Sequence, residues 1–515
     1  MLENKLIIVG IDGATFKVIK PLVKKNELPT FKKLLDGGNW RELESTIPPV
    51  TCPAWPSFMT GKKPKTHGVY DWFSYTKGYS RNVMNSTNIL GKRYWDFLNE
   101  VGLICGIINV PFTYPPQKIK GFMISGLFSP EDKDFTYPKS LKKYLIRNGY
   151  KIDPNTDLIS DNSYFKEMVK ILETRKDTTI QLMKNKSWDI LTVVFTTPEA
   201  VQHRFWKKNK IGIVYRIYKT LDKILDEILK EVGEKTNVFI MSDHGFGNIP
   251  KYVVHFNTWL VKEGYLFVKK QTKIPVQRIH NLLYKFGLEN FKSVVKKKVL
   301  SNLDIISKGV IWHKTKAWAR ISEDTGFIFI NREGRFESGI IGNRSYTKIR
   351  EELIQKIEEF RNPKNGEKII EKIWKKEELY NDYEIAPDII FKIKSQYKGW
   401  ETLGKDVFID IPEYARIGQH APTGIFIAFG PNIKKKKIEN ARLIDLAPTI
   451  LALYGIKSDN MDGQILDIIK KKIEFKMKSK VSVKKDLEGK LETDVFNEQE
   501  KEKIMARLRT LGYVD

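Results

Sequence analysis

Short, wholly apolar runs alternate along this chain with longer stretches of helical periodicity. The first run extends from Leu6 to Val9 and passes into Gly10-Ile11-Asp12-Gly13. Uniformly apolar runs of this length are typical of parallel strands whose two faces are both covered. The same reasoning predicts strands at Ile104 to Val110, Met123-Ile124, Leu191 to Phe195, Val238 to Ser242, Asp388 to Ile393 and Gly424 to Phe429.

Helical periodicity occupies several of the intervals between these strands. Helices are predicted at Leu28 to Asp36, Tyr164 to Lys184, Ile211 to Gly233 and Leu443 to Tyr454. Strands that alternate with helices predict an α/β fold with a doubly wound, mostly parallel central sheet. Ligands of such sheets bind outside the carboxyl ends of the strands, so the residues that follow each strand are the first candidates for a functional site.

One long stretch, from about 250 to 385, breaks the alternation. It is rich in Lys, Trp and Tyr, and it separates the SDHG segment from the last predicted core strands. We therefore predict a core formed by residues 1–250 and 386–468, with residues 251–385 inserted as a cap subdomain. Residues 469–515 are predicted to form a basic linker and an amphipathic helix near Asn497 to Leu511.

Four tryptophans lie in the inserted segment or just after it: Trp312, Trp318, Trp374 and Trp400. They have two possible roles, since a tryptophan can fill a hydrophobic core or stack on a base or sugar of a substrate. Core packing is the commoner role for so large a side chain, and it is the role that we predict here.

Acidic, imidazole and hydroxyl side chains occur where predicted strands end. They are Asp12 in KLIIVGIDGAT, Thr51 in IPPVTCPAWPSFMTG, Glu199 and His203 in TVVFTTPEAVQHRFW, Asp243 and His244 in NVFIMSDHGFG, and His420 in RIGQHAPTGIFIAFG. Glu199 and His203 are four positions apart, so they share one face if a helix begins near Pro198. Carboxylates and imidazoles are ligands of divalent cations. The set therefore indicates metal-assisted phosphate-ester chemistry.

The chain carries a formal net charge of +27, with lysines concentrated in runs such as Lys434 to Lys437. Such a charge attracts nucleic acid, an anionic membrane surface or a polyanionic substrate. The runs contain mostly Lys with few interleaved aromatic residues, so solvated lysine faces are favoured over a nucleic-acid groove or a membrane-binding surface. The predicted partner is a small phosphate-ester substrate.

No apolar run reaches the length of a transmembrane helix, and the N-terminal residues lack the features of a signal peptide. Cys52 and Cys105 are the only cysteines, which is too few for a disulfide framework. These observations predict a cytoplasmic location in which both thiols stay reduced.

Four segments, taken in chain order, point to a family. GIDG, TCPAWPSFMTGKKPKTHGV, SDHG and GQHAPTGIF together resemble the type I phosphodiesterase/nucleotide pyrophosphatase branch of the alkaline phosphatase superfamily. The resemblance spans Asp12 to Gly463 and implies an alkaline-phosphatase-like core with two divalent cations. It assigns Asp12, Thr51, Asp243 and His244 to one cation and Glu199, His203 and His420 to the other. Mixed His and carboxylate ligands favour Zn²⁺, with Mn²⁺ as the substitute.

The resemblance also selects the nucleophile. On local chemistry alone Thr51 competes with the nearby hydroxyls of Thr46, Ser57 and Thr60, because any of them needs a cation to become reactive. The family pattern implies that Thr51 attacks phosphorus and forms a phospho-enzyme, which water then hydrolyses.

Two positions depart from the family pattern. Glu199 stands where the acid four residues before the His is usually Asp, and its longer side chain would displace the cation. Trp72 stands where the nucleotide pyrophosphatases have an Asn that holds a phosphoryl oxygen. Asn109 and Lys62 are the other candidates for that substrate contact. We therefore predict phosphoester hydrolysis without predicting nucleotide pyrophosphatase specificity.

The predicted function is a metal-dependent phosphohydrolase that cleaves phosphodiesters through a phospho-threonine intermediate, with nucleotides and other phosphate esters left open as candidate substrates. A phosphomutase or phosphotransferase of the same superfamily is one alternative, although the related phosphoglycerate mutases use Ser as the nucleophile where this chain has Thr51. A non-catalytic protein that binds polyanions on this fold is the other alternative. Metal content separates the non-catalytic alternative from the enzymes, because a decayed site would hold fewer than two cations.

Overall fold

The computed structural model describes residues 5–75, 77–153, 160–207, 209–269, 309–380, 386–411, 418–435, 439–470, 477–478 and 495–511. The strands are β1 (Leu6–Ile11), β2 (Asn39–Glu44), β3 (Phe73–Tyr75), β4 (Arg81–Val83), β5 (Cys105–Val110), β6 (Gly121–Ser125), β7 (Thr136–Tyr137), β8 (Ile190–Phe195), β9 (Asn237–Met241), β10 (Gly245–Asn248), β11 (Tyr252–His255), β12 (Ala317–Ser322), β13 (Thr325–Ile330), β14 (Ile370–Lys375), β15 (Ile389–Ile393), β16 (Tyr397–Trp400), β17 (Phe408–Asp410), β18 (Gln419–Ala421), β19 (Thr423–Phe429), β20 (Ile456–Lys457) and β21 (Met477–Lys478). The helices are α1 (Phe16–Lys24), α2 (Pro29–Gly37), α3 (Thr51–Thr60), α4 (Pro64–His67), α5 (Tyr94–Glu100), α6 (Ser140–Arg147), α7 (Asp161–Asn185), α8 (Thr197–Phe205), α9 (Ile211–Val232), α10 (Phe256–Lys262), α11 (Asn343–Glu359), α12 (Lys376–Leu379), α13 (Leu446–Leu453) and α14 (Glu498–Leu511).

The central sheet contains eight of these strands in the order β2-β19-β9-β1-β8-β5-β6-β7. The middle strands, from β9 to β6, are parallel to one another, whereas β19, β2 and β7 join through antiparallel pairs. Helices α1, α2, α7, α8 and α9 contact one another as one group, and α3, α5 and α13 form a second group. The predicted α/β fold with a doubly wound, mostly parallel sheet is confirmed.

Burial on both faces explains why the middle strands are uniformly apolar. Every residue of β1 is buried, because the strand lies between β8 and β9 in a sheet that helices cover. Gly10 of β1 is in register with Val194 of β8 on one side and with Met241 of β9 on the other. The three parallel strands therefore end at the same level, and the segments that follow them meet at one edge of the sheet.

The inserted segment forms a second unit, the cap, with its own sheet in the order β12-β13-β15-β14. The apolar run of β15 predicts a core strand, but Ile390 of β15 pairs with Phe327 of β13 in the cap sheet. The predicted strand is present, but it joins the cap sheet and not the central sheet, because a short apolar run does not encode which sheet it joins. The hydrophobic cluster of the cap extends as far as Val407, well beyond position 385.

The cap tryptophans pack mainly inside this cluster. Trp318 has no exposed surface and Trp374 is 7% exposed, which confirms core packing for these two. Trp312 is partly buried, and its ring stacks on that of Tyr79 with the centroids 3.7 Å apart. Trp400 ends β16 and is also partly buried. Trp312 therefore links the cap to the core segment between α4 and α5.

A buried ionic network holds the cap against the core. Arg320 of β12 contacts Asp71 at 3.2 Å and Glu401 at 2.8 Å, and Glu401 also contacts Arg81 of β4 at 2.9 Å. Burial alone would raise the pKa of Glu401, but the guanidinium groups of Arg320 and Arg81 lower this pKa to about 2. Removing one partner from a buried network leaves an unpaired charge inside, so the network fixes the position of β12 relative to the core.

The C-terminal helix is present as α14 and packs on the core. Arg507 of α14 contacts Asp153 at 2.8 Å, and Glu500 contacts Lys133 at 2.8 Å. Most of the predicted basic linker, residues 470–490, lies outside the described residues. None of the helices in the described part of the chain combines the length and the apolar character needed to cross a membrane.

Candidate metal centre

Three adjacent strands of the central sheet deliver acids to one edge. Asp12 follows β1 directly, and Asp243 follows β9 after Ser242. The backbone N–H of Gly13 donates to Oδ1 of Asp243 at 3.2 Å, which ties the two strand ends together. Gly13 has a φ of +65°, and a Cβ on it would lie 3.1 Å from Nε2 of Gln202, so glycine is required at this crossing point.

Helix α8, which follows β8, contributes the pair four positions apart. Pro198 lies in its first turn, where the missing N–H is harmless. Oε1 of Glu199 lies 3.6 Å from Nε2 of His203, as expected for neighbours on one helix face. Both side chains are buried, so the pair belongs to the interior and not to a surface helix.

A short antiparallel ladder between β10 and β18 brings in the remaining histidines. His420 of β18 lies opposite Phe246 of β10, and the ring of His420 stacks on that of His244 with the centroids 3.8 Å apart. Nε2 of His420 also lies 2.9 Å from Nε2 of His203. A Cβ on Gly245 would lie 2.0 Å from the carbonyl oxygen of Thr423, so the DHG glycine permits this close approach.

Glu199 occupies the centre of the assembly. Its Oε1 lies 3.1 Å from Nε2 of His420 and 3.4 Å from Nε2 of His244, in addition to its contact with His203. Two ligand groups result: one contains Glu199, His203 and His420, and the other contains Asp12, Glu199 and His244. The longer side chain that departs from the family pattern thus reaches both groups, whereas the resemblance assigns it to only one.

Thr51 lies beside the second group as the first residue of α3. Its Oγ1 donates to Oδ1 of Asp12 at 3.5 Å and lies 3.4 Å from Nε2 of His244. The competing hydroxyls are engaged elsewhere, and their partners are Pro48 O for Thr46, Nε2 of His67 for Ser57 and Pro56 O for Thr60. We call Asp12, Glu199, His203, Asp243, His244 and His420 the acid–histidine cluster. Thr51 lies beside this cluster and at the positive end of a ten-residue helix.

The electrostatics of the cluster reflect its burial. Burial, reinforced by neighbouring carboxylates, raises the pKa of Asp12 and of Asp243 above the usual range. Burial alone would also raise the pKa of Glu199, but hydrogen bonds from the three histidines hold this pKa well below its usual value. Burial lowers the pKa of His203 to about 4. Burial opposes the charged form of His244 too, yet the carboxylates of Asp243 and Glu199 raise this pKa to about 9.

The donor set fits divalent cations. Within the described residues, Oδ2 of Asp12 and Oδ2 of Asp243 are buried and accept no hydrogen bond, although Oδ2 of Asp243 lies 3.2 Å from Nε2 of His244. The cluster therefore concentrates buried carboxylate oxygens that a cation would satisfy. Nδ1 of His244 donates to the carbonyl of Gly245, and Nδ1 of His420 donates to the carbonyl of Pro49, both at 3.0 Å. These bonds orient each Nε2 into the cluster, as in metal-binding histidines.

The candidate substrate-binding residues have other neighbours. Nδ2 of Asn109 donates to the carbonyl of Val194 at 3.1 Å. The ammonium group of Lys62 lies beside Gly91. Trp72 packs against two phenylalanine rings, Phe112 and Phe128. None of these contacts involves the acid–histidine cluster, so the three assignments stay predictions.

One acid at the cluster has no sequence motif. Glu323 is the first residue of the turn between β12 and β13 of the cap, and its side chain is buried. Its Oε1 lies 4.0 Å from Nε2 of His420. Burial alone would raise the pKa of Glu323, but the nearby side chains of His420, Lys398 and His203 lower this pKa. The only sequence signal is a pair of acids, Glu323-Asp324, between two apolar strands.

Two groups of buried cation ligands beside a hydroxyl at a helix N-terminus define a site for phosphate-ester chemistry. A family model described as type I phosphodiesterase/nucleotide pyrophosphatase matches residues 6–421. The chain belongs to this family and is a phosphoester hydrolase of the phosphodiesterase/pyrophosphatase type. The family is metal-dependent, in keeping with the two ligand groups. No curated protein matches the chain.

Solved structures share the fold at low sequence identity. Phosphonoacetate hydrolase from Sinorhizobium meliloti 1021, in complex with phosphonoacetate, has 12% identity and a TM-score of 0.57, with 86% of this chain and 94% of that chain covered. An inactive murine ectonucleotide pyrophosphatase/phosphodiesterase 5 in complex with AMP has 13% identity and a TM-score of 0.52, with coverage of 87% and 94%. The human protein of the same name has 14% identity and a TM-score of 0.50, with coverage of 90% and 100%.

Proposed function

We propose that this protein hydrolyses small phosphodiesters with Thr51 as the nucleophile and with two divalent cations bound in the acid–histidine cluster. The observation that carries the proposal is the position of Thr51. Its Oγ1 lies 3.4 Å from Nε2 of His244 and 3.5 Å from Oδ1 of Asp12, at the start of helix α3. A threonine hydroxyl is a weak nucleophile unless a neighbouring group activates it, and these neighbours belong to a ligand group.

The ligands divide between the two cations. Asp12, Thr51, Asp243 and His244 would hold one, and Glu199, His203 and His420 would hold the other, with Glu199 in reach of both. Mixed nitrogen and oxygen donors suit Zn²⁺, and Mn²⁺ is the plausible replacement. When bound, the two cations supply charge stabilisation to the oxygens that attack and leave phosphorus.

The residues of the chain have separate tasks in this reaction. Thr51 Oγ1 gives its proton to the carboxylate of Asp12 and forms a bond to phosphorus while the bond to the leaving-group oxygen breaks. The leaving-group oxygen takes up that proton, and water later cleaves the phospho-threonine. Asp12 accepts the hydrogen bond that orients the hydroxyl of Thr51. The N-terminal end of α3 favours negative charge on the phosphoryl group. Burial of the cluster keeps bulk water away and strengthens each of these interactions.

The substrate is proposed to be a small phosphate ester because the family is described by phosphodiester and pyrophosphate cleavage, and because proteins with the same fold bind small phosphorus oxyanions. Phosphonoacetate and AMP are the ligands of two proteins with the same fold. Trp72 stands where the family Asn contacts a phosphoryl oxygen, so the residue that is typical of nucleotide pyrophosphatases does not occupy this position. The phosphomutase alternative and the polyanion-binding alternative have no supporting contact in the described residues.

The test is hydrolysis of paired chromogenic phosphate diesters and monoesters by metal-stripped protein to which Zn²⁺, Mn²⁺ or Mg²⁺ is restored. We expect metal-dependent cleavage of the diester well above that of the monoester. Acid quenching during turnover, followed by mass spectrometry of the Thr51 peptide, should detect the phosphorylated residue. Turnover without a phosphorylated Thr51 peptide would indicate that water, and not Thr51, attacks phosphorus. The absence of turnover with every metal would reject the proposed hydrolase function.

A further inference from the structure

Glu323 lies at the tip of the β12–β13 hairpin, where the cap reaches into the acid–histidine cluster. The two strands pair up to Ser322 and Thr325, which leaves Glu323 and Asp324 as a two-residue turn. Glu323 has a φ of +55°, a conformation that a residue other than glycine seldom adopts. The surrounding structure therefore dictates where this side chain points.

Two contacts join Glu323 to His420. Its Oε2 accepts the backbone N–H of His420 at 3.4 Å, and its Oε1 lies 4.0 Å from Nε2 of the same residue. The side chain is only 1% exposed. Among the described residues, Oε1 accepts no hydrogen bond. A buried carboxylate oxygen in this state needs a positively charged neighbour.

A cation on His420 would be that neighbour. Nδ1 of His420 donates to the carbonyl of Pro49, so Nε2 carries the lone pair that binds metal. Zinc lies about 2.0–2.2 Å from nitrogen and oxygen ligands, so two ligand atoms of a tetrahedral site are about 3.4 Å apart. Oε1 of Glu323 and Nε2 of His420 are 4.0 Å apart, so the carboxylate would have to move closer by about 0.6 Å to share a cation with His420.

We infer that Glu323 is a metal ligand, contributed by the cap, for the cation that Glu199, His203 and His420 would hold. The inference rests on the proposed function, because it presupposes a cation at this group. It raises the number of protein ligands from three to four, and a substrate oxygen would then be accommodated by expansion of the site to five ligands. This cation would then bind more tightly than the one beside Thr51.

The same contact would couple metal binding to the position of the cap. Arg320 precedes Glu323 by three positions on β12 and is held by Asp71 and Glu401. The hairpin is therefore anchored on the core at its base and would be anchored through the cation at its tip. A rival role for Glu323 is neutralisation of Lys398, a nearby buried ammonium group, which would require no metal.

Zinc titration of metal-stripped protein against a competing chelator separates these roles. The variant is Glu323→Gln, which keeps the side-chain length and the backbone conformation. The matched control is Asp324→Asn, which removes the neighbouring buried carboxylate, a group bonded to Thr325 within the turn. We expect Glu323→Gln to weaken one of two zinc sites by about 10- to 100-fold and Asp324→Asn to leave both sites unchanged.

Each contrary outcome has a distinct meaning. Two sites of native affinity in Glu323→Gln, or equal weakening in both variants, would overturn the ligand role of Glu323 without touching the proposed function. Failure of the native chain to bind zinc would overturn the proposed function itself. Hydrogen exchange of residues 317–330 in the native chain needs no variant. Zinc should slow exchange at the hairpin tip, and unchanged exchange would again overturn the inference.

Discussion

Nε2 of His203 lies 2.9 Å from Nε2 of His420, although the two residues are 217 positions apart in the chain. Helix α8 carries the first histidine to the edge of the sheet, and the β10–β18 ladder carries the second. Since Nδ1 of His420 is a donor to Pro49, its Nε2 faces His203 as an acceptor. Two imidazole nitrogens so placed need a shared proton or a cation between them, and Glu199 beside them favours the cation.

Removal of the cations is expected to abolish hydrolysis and to lower stability. The cluster buries three carboxylates, Asp12, Asp243 and Glu199, whose mutual repulsion the cations relieve. By mass action, a cation present at 100 times its Kd stabilises the folded state by about 2.7 kcal/mol. The measurement is the thermal midpoint and the activity of chelator-treated protein before and after Zn²⁺ or Mn²⁺ is restored. Unchanged midpoints for treated and restored protein would contradict a bound cation.

Replacement of the proposed nucleophile should separate chemistry from metal binding. We expect Thr51→Ala to lower kcat by about 10³-fold or more, while bound metal and the thermal midpoint stay near the native values. Thr60→Ala is the matched control at the other end of α3, because its hydroxyl donates to the carbonyl of Pro56 and accepts the backbone N–H of Lys62, away from the ligand groups. Full activity in Thr51→Ala would remove this residue from the mechanism.

Sequence reasoning located the core of the site because strand ends in a parallel sheet meet at one edge. Asp12, Asp243 and the α8 pair are each encoded locally by an apolar run followed by acids or histidines. Their assembly follows from the order of β9, β1 and β8. Family resemblance was still needed to select Thr51 among its neighbours, since a helix N-terminus beside Asp12 is a long-range feature that spacing does not encode.

Strand pairing in the cap and the contacts of its residues could not be predicted from the sequence. The apolar run of β15 is indistinguishable from a core strand, because pairing with β13 depends on topology and not on composition. In the sequence, Glu323 is likewise an ordinary acidic residue of a turn. It approaches His420 only because the β12–β13 hairpin is held against the core by the ion pairs of Arg320. The sequence also did not predict the central position of Glu199, since an additional methylene does not show which histidines the carboxylate contacts.

Shortening Glu199 should weaken metal binding. In the native chain, Oε1 of Glu199 lies 3.1 Å from Nε2 of His420 and 3.4 Å from Nε2 of His244. The side chain of Glu199→Asp is shorter by one methylene, so its carboxylate cannot keep both contacts. We expect a fall in zinc affinity of about 10- to 100-fold at one site or both, measured as metal retained after dialysis. Glu199→Gln keeps the length and tests the charge separately. Two equivalents retained by Glu199→Asp would show that reach is unimportant and that the family Asp serves equally well.

The network around Glu401 should control the stability of the cap toward acid. The pKa of Glu401 is about 2 in the folded protein and about 4.3 in an unfolded chain. A lowered pKa gives stability that is complete above the unfolded value and is lost as the pH falls toward 2. In Glu401→Gln the free energy of unfolding should drop by about 3 kcal/mol at neutral pH. The dependence of this free energy on pH between the two pKa values should also become weaker.

Urea denaturation from pH 7 to pH 3 measures both effects. The control is Glu100→Gln, which removes an exposed partner of Lys92 and is expected to change stability little. An equal dependence on pH for native protein and Glu401→Gln would show that Arg320 and Arg81 do not hold the cap through this carboxylate.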